Sequence, residues 1–381
     1  MNRTQYDVVV VGAGIAGVSV AARIAARRSV RLLEMEARPG FHSTGRSAAV
    51  FLSFYGNEVV RALTAASRRF FDAPPNGFAE YGLLRDRAVL VVAREDQQHL
   101  LDAYVNATSS GTSYERLSSR EAAALCPVLD ERKFAVAAMT RVAADIDVDA
   151  LQSGYLRLFR ERGGSLTMNA KVTHLQRRDE GWLMVAGEEE ILAGTVVNAA
   201  GAWAGHIGAL AGARDIGLKT LRRSAALIEP PNGRSPADWP GVIDVEEQFY
   251  MKPEAGLLMI SPADETPVQP GDVQPDDVDI ATAVERIETI THLEVKRVRH
   301  QWAGLRSFVA DRSPVVGFDP QARNFFWAAA LGGYGIQTAP ALSHVAAHLL
   351  EGREGREVLE PMGLDEMALS PARPGIGPQF V

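Results

Sequence analysis

Apolar residues near the N-terminus form two strand-like runs separated by a helix-like stretch. Residues 7–11 are almost all valine, which is typical of a buried parallel strand. Gly12 interrupts this run, and residues 15–26 are rich in alanine and other good helix formers. A second apolar run covers residues 30–33 and ends at Glu34. The pattern predicts one strand–helix–strand unit at the start of the chain.

The rest of the chain alternates between helix-like and strand-like segments, separated by turn residues. A loop rich in proline and aspartate is predicted at 262–279, and the tail after Ser370, with its three prolines, is expected to be loosely ordered. The predicted helices cover residues 58–72, 95–106, 147–162, 280–290 and, after a glycine loop at 331–335, 338–350. The predicted strands cover residues 89–92, a pair within 172–192, 195–198, several between 225 and 260, 315–317 and 325–330.

Three glycines at the end of the first strand have the spacing of a dinucleotide-binding turn. Gly12 allows a tight turn, Gly14 lets the backbone approach a pyrophosphate, and Gly17 lets the helix pack close to the strand. Glu34, at the end of the second strand, is placed to accept hydrogen bonds from ribose hydroxyls and to repel a 2′-phosphate. The motif alone does not separate FAD from NAD, and a glycine turn in an unrelated α/β fold is the alternative.

Composition narrows the class of protein and its partners. The 381 residues carry a net charge of −7, which argues against nucleic acid as the main partner. Cys126 is the single cysteine, which excludes an intrachain disulfide and fits a reducing compartment. The longest apolar stretch, residues 8–22, contains three glycines and is too short to span a membrane. We therefore expect a cytoplasmic protein without a transmembrane segment, and peripheral contact with a membrane stays open.

Four further motifs resemble those of the FAD-dependent D-amino-acid oxidase family, which includes glycine oxidase. They lie at residues 38–48, 198–203, 304–306 and 332–338, in the family's order and spacing. Longer runs at 42–49, 61–67 and 302–310 resemble bacterial D-arginine dehydrogenases in particular. The resemblance implies an α/β fold, in which a Rossmann-like FAD-binding domain is interleaved with an antiparallel-sheet α+β substrate domain. It assigns residues 1–55, 145–205 and 308–381 to the FAD-binding domain, and 56–144 and 206–307 to the substrate-binding domain.

The resemblance also implies which residues contact FAD, and it implies that the flavin is bound without a covalent bond. His42, a conceivable base or covalent flavin anchor, is interpreted as a loop residue near the cofactor. The implied FAD-binding residues are Gly12, Gly14, Ile15, Ala16, Gly17, Glu34, Met35, Ser43, Thr44, Gly45, Arg46, Ser47, Ala48, Ala49, Val172, Ala200, Gly201, Trp203, Gly332, Gly333, Gly335, Ile336, Gln337 and Thr338.

Flavin-dependent oxidation of an amino acid requires few protein groups, because the cofactor itself accepts a hydride from the substrate Cα. Arg306 matches the family's carboxylate-binding arginine, and a guanidinium fits a carboxylate with two hydrogen bonds. Tyr250 and Tyr55 match active-site tyrosines. Arg223 matches a further pocket arginine, although its neighbour Arg222 leaves a plain basic turn as an alternative. No histidine–carboxylate cluster has metal-ligand spacing, so we expect no metal.

Three positions depart from the D-arginine dehydrogenase pattern. Val89 stands where that enzyme has an acid for the substrate guanidinium, and Val50 and Leu52 replace a histidine and a threonine. A buried cation facing valine would be unpaired, at a cost of several kcal/mol. We therefore expect D-arginine and D-lysine to be poor substrates. The expected substrate pocket consists of Val50, Leu52, Val89, Gly333 and Ile336.

The sequence thus predicts an FAD-dependent D-amino-acid dehydrogenase, with oxidase activity left open. Its substrate would carry an apolar or neutral side chain, and hydride transfer to flavin N5 would give an imino acid that hydrolyses to a 2-oxo acid. The electron acceptor would be a quinone or a soluble carrier, and oxygen stays open. Alternatives are oxidation of a secondary amine, a 2-hydroxy-acid dehydrogenase on the same fold, or a flavin-binding subunit that serves assembly.

Overall fold

The computed structural model describes residues 4–108 and 112–378. Its helices are α1 (Ile15–Ile24), α2 (Glu58–Asp72), α3 (Gln98–Thr108), α4 (Ser119–Leu125), α5 (Val148–Glu161), α6 (Ala204–Leu210), α7 (Asp277–Glu288), α8 (Gly335–Leu350) and α9 (Arg356–Leu359). Its strands are β1 (Thr4–Val11), β2 (Val30–Leu33), β3 (Val50–Phe51), β4 (Leu84–Asp86), β5 (Val89–Ala93), β6 (Glu115–Ser118), β7 (Val136–Thr140), β8 (Ala144–Ile146), β9 (Ser165–Thr167), β10 (Val172–Arg178), β11 (Gly181–Ala186), β12 (Glu189–Asn198), β13 (Lys219–Ile228), β14 (Gly241–Asp244), β15 (Tyr250–Glu254), β16 (Leu257–Ser261), β17 (Thr266–Pro267), β18 (Val298–Phe308), β19 (Val315–Phe318) and β20 (Phe325–Ala329).

The first sheet has the strand order β10-β11-β12-β1-β2-β9. The strand β20 also pairs with the end of β12, and β19 pairs with β20. The strand β1 pairs in parallel with both β12 and β2. Its Val8 and Val10 pack against α1, α5 and α8, whereas Val9 and Val11 pack in a second core with Trp327. Both faces of β1 are therefore buried, which explains why its sequence is continuously apolar.

The second sheet has the order β17-β13-β16-β15-β14-β5-β7-β6, and β18 lies on the free side of β13. We expected an antiparallel sheet, but β5 and β14 pair in parallel, so the sheet is mixed. Along β5 the side chains alternate: Leu90 and Val92 pack in the core with α7, while Val89 joins a separate cluster on the opposite face. A small third sheet has the order β3-β8-β4.

Three expectations about local structure were wrong. The predicted strand at 195–198 is the end of a longer strand, β12, which begins at Glu189 and pairs with three neighbours. The last helix begins at Gly335 instead of 338, because packing on α1 and α2 overrides the low helix propensity of its first residues. The parallel pair of β5 and β14, noted above, is the third.

The tail after Ser370 is packed, contrary to expectation. Arg373 is only 5% exposed and Ile376 is equally buried. The guanidinium of Arg373 donates to the Asp311 carboxylate at 2.7 and 3.0 Å and to the Ser313 carbonyl at 2.9 Å. A buried guanidinium with these partners holds the tail in place despite its prolines. Within the described part of the chain, no helix is long and apolar enough to cross a membrane.

Candidate active site

A large cavity opens where the parallel strands of the first sheet end. Val11, Leu33, Ala199 and Ala330, each at or just after the carboxyl end of a strand, line it, and the second sheet forms the opposite wall. This is where open α/β sheets bind ligands. Gly17, Gly45 and Thr338 do not line the cavity, whereas the other predicted residues do. Those are Gly12, Gly14, Ile15, Ala16, Glu34, Met35, Ser43, Thr44, Arg46, Ser47, Ala48, Ala49, Val50, Leu52, Tyr55, Val89, Val172, Ala200, Gly201, Trp203, Arg223, Tyr250, Arg306, Gly332, Gly333, Gly335, Ile336 and Gln337.

The turn between β1 and α1 has the geometry of a phosphate-binding turn. Gly12 has φ +101°, a conformation that disfavours side chains. A Cβ on Gly17 would lie 1.8 Å from the Gly12 carbonyl oxygen, so Gly17 provides the close helix–strand contact. Gly14 caps α1 without a side-chain hydrogen bond, and the first turn contains no acid. The first residues of α1, Ile15 and Ala16, line the cavity, and this N-terminal end of the helix suits an anion.

Glu34 and the loop after it define the rest of this half of the cavity. The Glu34 carboxylate is 7% exposed, and it accepts hydrogen bonds from the N–H groups of Ala13 at 2.8 Å and Glu36 at 3.0 Å. The Thr44 hydroxyl accepts from the N–H of Ile15 at 3.0 Å, and Ser43 Oγ donates to the Leu305 carbonyl at 2.6 Å. The loop is thus bonded both to the phosphate-binding turn and to β18 of the second sheet.

Arg306 occupies the other half of the cavity. One of its terminal nitrogens, Nη1, donates to the Tyr55 hydroxyl at 3.4 Å. Burial by itself would lower the pKa of Arg306, but the phenol oxygens of Tyr55 and Tyr250 outweigh it and raise that pKa. The guanidinium lies against the backbone of Gly333, where a Cβ would come within 2.7 Å of the Arg306 Cζ. A fixed cation with two tyrosines beside it is suited to hold a carboxylate.

A turn suited to a dinucleotide and a cation suited to a carboxylate therefore share one cavity, and the comparisons with known proteins name the cofactor. A family described as FAD dependent oxidoreductase (DAO) matches residues 7–349. This chain belongs to that family. Its cofactor is FAD, and the uncapped α1 terminus, the Gly12–Gly14 turn and the oriented Glu34 carboxylate fit the diphosphate and ribose of FAD.

Individual members of the family resemble this flavoenzyme to different extents. FAD-dependent oxidoreductase domain-containing protein 1 from cattle is 30% identical over 177 residues, which are 41% of this chain and 36% of that protein. This chain thus matches little more than a third of that relative's length. Glycine oxidase from Geobacillus kaustophilus is 22% identical over 379 residues, which are 94% of this chain and 97% of that enzyme.

Solved structures confirm the expected glycine-oxidase-like fold. The crystal structure of glycine oxidase from Geobacillus kaustophilus superposes with a TM-score of 0.84 and 21% identity, covering 97% of this chain and 99% of that one. L-proline dehydrogenase from P. horikoshii gives a TM-score of 0.80 at 20% identity, with 92% and 95% covered. Membership of the D-amino-acid oxidase family is likewise confirmed, whereas a particular closeness to D-arginine dehydrogenase stays a prediction.

The two adjacent arginines of β13 in this flavoenzyme point to opposite faces of the sheet. Arg223 lines the cavity, donating from Nε to the Asp264 carbonyl at 2.7 Å and contacting Glu265 at 3.2 Å. Arg222 points to α7, where it contacts Asp279 at 2.7 Å. The basic-turn alternative therefore describes neither residue, because each has its own acidic partner and they lie on opposite faces.

This opposite orientation predicts that alanine substitutions at the two positions have different effects. Arg223→Ala should raise KM about tenfold or more, since it removes a cation from the cavity. Arg222→Ala should leave kcat/KM within about threefold of the parent value, but it should lower the free energy of unfolding by about 2–4 kcal/mol, because buried carboxylates lose their partner. Steady-state kinetics and thermal melts would measure both. Equal changes in KM for the two variants would contradict this assignment.

Gly333 sets the position of Arg306, which gives a second prediction. Gly333→Ala should push the guanidinium away from the tyrosines, because the new Cβ would lie 2.7–2.9 Å from Cζ, Nη1 and Nε. We expect KM to rise about tenfold to a hundredfold, since misplacing a binding group by about 1 Å has effects of this size. The matched control is Gly82→Ala, whose Cβ would have its nearest neighbour 3.8 Å away. Similar KM values for both variants would refute the role of Gly333.

Apolar side chains form one wall of the cavity. The predicted Val50, Leu52 and Val89 are part of it, and Val89 is only 2% exposed. The Gln337 amide is bonded within the protein, because its Oε1 accepts from Leu52 N at 3.0 Å and its Nε2 donates to Thr64 Oγ1 at 2.9 Å. Sequence reasoning missed two other apolar members of this wall, Ile243 and Met259, whereas Val242, Phe249 and Met251 pack in the core on the opposite face of the sheet.

Sequence reasoning also missed polar groups in the cavity. Glu247 has φ +56° and lies at the wall near Arg223 and Arg306; burial raises the pKa of its carboxyl, and the two arginines oppose that shift. Lys252 and Arg87 also line the cavity, and Asp145 pairs with both, at 3.2 and 2.5 Å. No local motif marks these residues. The partners of Asp145 are 107 and 58 positions away in sequence, so only the fold brings them together.

Proposed function

We propose that this protein oxidises a D-amino acid with an apolar or neutral side chain, transferring a hydride from the substrate Cα to FAD. The single observation that carries the proposal is the position of Arg306. Its guanidinium faces the cavity beside Tyr55 and is backed by Gly333, in the glycine loop that precedes α8. A carboxylate bound there lies between the FAD cradle and the apolar wall.

The protein groups hold the substrate, whereas bound FAD supplies the hydride acceptor. Arg306 would bind the carboxylate with two hydrogen bonds, and the hydroxyls of Tyr55 and Tyr250 would donate to the same oxygens. Arg223 adds a second positive charge at this end. Fixing the carboxylate and packing the side chain against the wall leaves the Cα–H directed at the cofactor, and orientation of this kind can lower a barrier by several kcal/mol.

The side-chain preference follows from the chemistry of the wall. Val50, Leu52 and Val89 offer no hydrogen bond to a guanidinium or ammonium group, so a cationic side chain would be unpaired there. Of the two acids near this wall, Asp145 is bonded to Arg87 and Lys252, and Glu247 lies beside Arg223 and Arg306, at the end that would hold the substrate carboxylate. We therefore infer that leucine-like or other uncharged side chains bind better than those of arginine or lysine.

Oxidation of a secondary amine is the second candidate. It is favoured by the fold shared with L-proline dehydrogenase, since proline is a secondary amine. A carboxylate site would bind primary and secondary amino acids equally well, and it would also bind a 2-hydroxy acid. Product analysis separates them, because a primary amine yields ammonia and a 2-oxo acid, whereas proline yields a cyclic imine.

Anaerobic reduction of the purified yellow protein tests the proposal. Matched D- and L-amino acids, proline, sarcosine and 2-hydroxy acids would each be mixed with the holoenzyme, and bleaching of the flavin absorbance would be followed. The proposal expects fast bleaching by uncharged D-amino acids. Bleaching by the L-enantiomers alone, by hydroxy acids alone, or by none of the panel would overturn it, and the last result would favour the assembly role.

Several finer points rest on the same proposal. We infer non-covalent FAD, because Cys126 is buried in the core of the second sheet and His42 Nε2 is already bonded to Glu36. The two-domain division stays a prediction that the two large sheets support. The acceptor, a quinone, a soluble carrier or oxygen, and the cytoplasmic location are also predictions. A stopped-flow comparison of quinone and oxygen as oxidants of the reduced enzyme would identify the acceptor.

A further inference from the structure

One ring nitrogen of His42 has no hydrogen-bond partner in the part of the chain that the structure describes. Its side chain is only 13% exposed, and Nε2 lies 2.8 Å from Glu36 Oε1. The other nitrogen, Nδ1, is buried without a hydrogen-bond partner among the described residues. A buried polar atom without a partner costs free energy, so its presence in a cavity wall indicates a group supplied by the ligand.

The position of His42 relates it to one half of the FAD site. Its ring packs against Trp203 at 4.6 Å and edge-on against Phe41 at 4.9 Å, and all three residues line the cavity. The loop that carries it is tied to the phosphate-binding turn by the Gly40 N–H, which donates to the Ala13 carbonyl at 3.1 Å. His42 is therefore linked to Glu34 through Glu36, whose N–H donates to the Glu34 carboxylate, and its loop is attached to the phosphate-binding turn.

Charged groups of both signs surround His42. Glu36 is the carboxylate bonded to the ring. Arg38 and Arg46 lie over the Phe41 ring, with Cζ 5.2 and 5.3 Å from its centroid. Arg46, however, donates to the carbonyls of Ala303 and Val273 and to Asp272. Its guanidinium is thus committed to protein groups.

Other cations in this half of the cavity are less suited to contact the FAD diphosphate. Lys171 and His206 line the cavity but are exposed, and Glu34 adds a further negative charge near the ribose. The diphosphate carries two negative charges, and the α1 terminus neutralises them only in part. The Nδ1 atom of His42, in a ring whose Nε2 is bonded to Glu36, is the buried polar atom left to contact the diphosphate.

We propose that His42, held as an imidazolium by Glu36, donates its Nδ1–H to a diphosphate oxygen of FAD, so that cofactor binding takes up a proton. Glu36 accepts from Nε2 and stabilises the charge, which makes it a positioning residue for His42. Because the complex binds more protons than the free components, FAD affinity is highest at low pH and falls as pH rises. The proposal depends on FAD as the cofactor and is independent of the substrate.

The test is the pH dependence of FAD retention by the holoenzyme. Serial dilution at pH 6.0–8.5, with released flavin measured by fluorescence at equilibrium, gives Kd at each pH. The parent protein should lose affinity by up to tenfold per pH unit within this range. His42→Gln should bind FAD about tenfold to a hundredfold more weakly at pH 6.0, the loss expected for a charge-assisted hydrogen bond, and its Kd should change little with pH.

Two companion variants separate this role from a structural one. Glu36→Gln keeps an oxygen acceptor for Nε2 but removes the charge, so it should flatten the pH dependence. His174→Gln removes an exposed histidine that does not line the cavity, and it should behave like the parent protein. The proposal is overturned by a pH-independent Kd in the parent, by an unchanged pH slope in His42→Gln or Glu36→Gln, or by an equal loss in His174→Gln. Circular dichroism of each variant confirms that the fold is intact.

Discussion

Arg306→Ala is expected to lower kcat/KM for the substrate by roughly 30-fold to several thousandfold, the largest loss we predict for a single substitution. The range corresponds to about 2–5 kcal/mol, the cost of removing one partner of a buried, hydrogen-bonded charge pair. We propose this group as the carboxylate-binding residue, because its guanidinium lines the cavity, contacts Tyr55 and lies against Gly333. Steady-state kinetics and anaerobic flavin reduction would measure the loss.

Two further observations make this result specific. Arg306→Lys should recover only part of the lost efficiency, since an ammonium cannot form the paired hydrogen bonds of a guanidinium. The flavin content of both variants should equal that of the parent protein, because we expect the β1–α1 turn, on the other half of the cavity, to hold the FAD diphosphate. A kcat/KM within threefold of the parent value would rule out Arg306 as the carboxylate group.

Val89→Glu is expected to shift the substrate preference toward D-arginine and D-lysine, with a gain of about a hundredfold in kcat/KM for these substrates. Val89 is buried in the cavity wall, close to Leu52, Phe54 and Ala143. A carboxylate at this position would pair with the cationic side chain of D-arginine or D-lysine, which valine leaves unpaired. Pairing such a charge in a buried site is worth several kcal/mol. Efficiency with D-leucine should fall, because an unpaired buried acid replaces an apolar contact.

The matched variant Val89→Gln separates charge from size in this experiment. Glutamine has the length of glutamate without its charge, so it should improve the cationic substrates by only a few fold. Competition assays with D-arginine and D-leucine in one mixture would give the ratio of the two efficiencies directly. Equal gains for Val89→Glu and Val89→Gln would show that the wall selects by volume and would contradict the charge argument.

The parts of the fold that the sequence predicted are those governed by local signals. The helix at 58–72 was predicted with the observed bounds, because its start is set by Asn57, whose side chain accepts from the Val60 N–H. The strand at 30–33 was also predicted with its observed bounds, since a short apolar run that ends in an acid fits few other structures. Short strands such as β3 and β4 pair with the distant β8, and no local pattern marks such pairs.

The distinction between local sequence signals and long-range contacts also applies to the active site. Motif residues such as Gly12 and Arg306 could be assigned because their chemistry follows from a resemblance over a run of neighbours. Glu247 and Lys252 could not, because their relation to the cavity depends on how β14 and β15 lie beside β5. Gln337 shows the converse: its motif suggested a ligand contact, but tertiary packing directed its amide to Leu52 and Thr64.

The packed C-terminal tail has a consequence for handling the protein. Arg373 binds Asp311 and the Ser313 carbonyl, and the Asn57 side chain, two residues after Tyr55, donates to the Asp311 carbonyl and the Ser313 hydroxyl. Proteolytic trimming near residue 370 would therefore loosen the segment that presents Tyr55 to the substrate. A variant that ends at residue 370 would lack Arg373 and with it these contacts to Asp311 and Ser313.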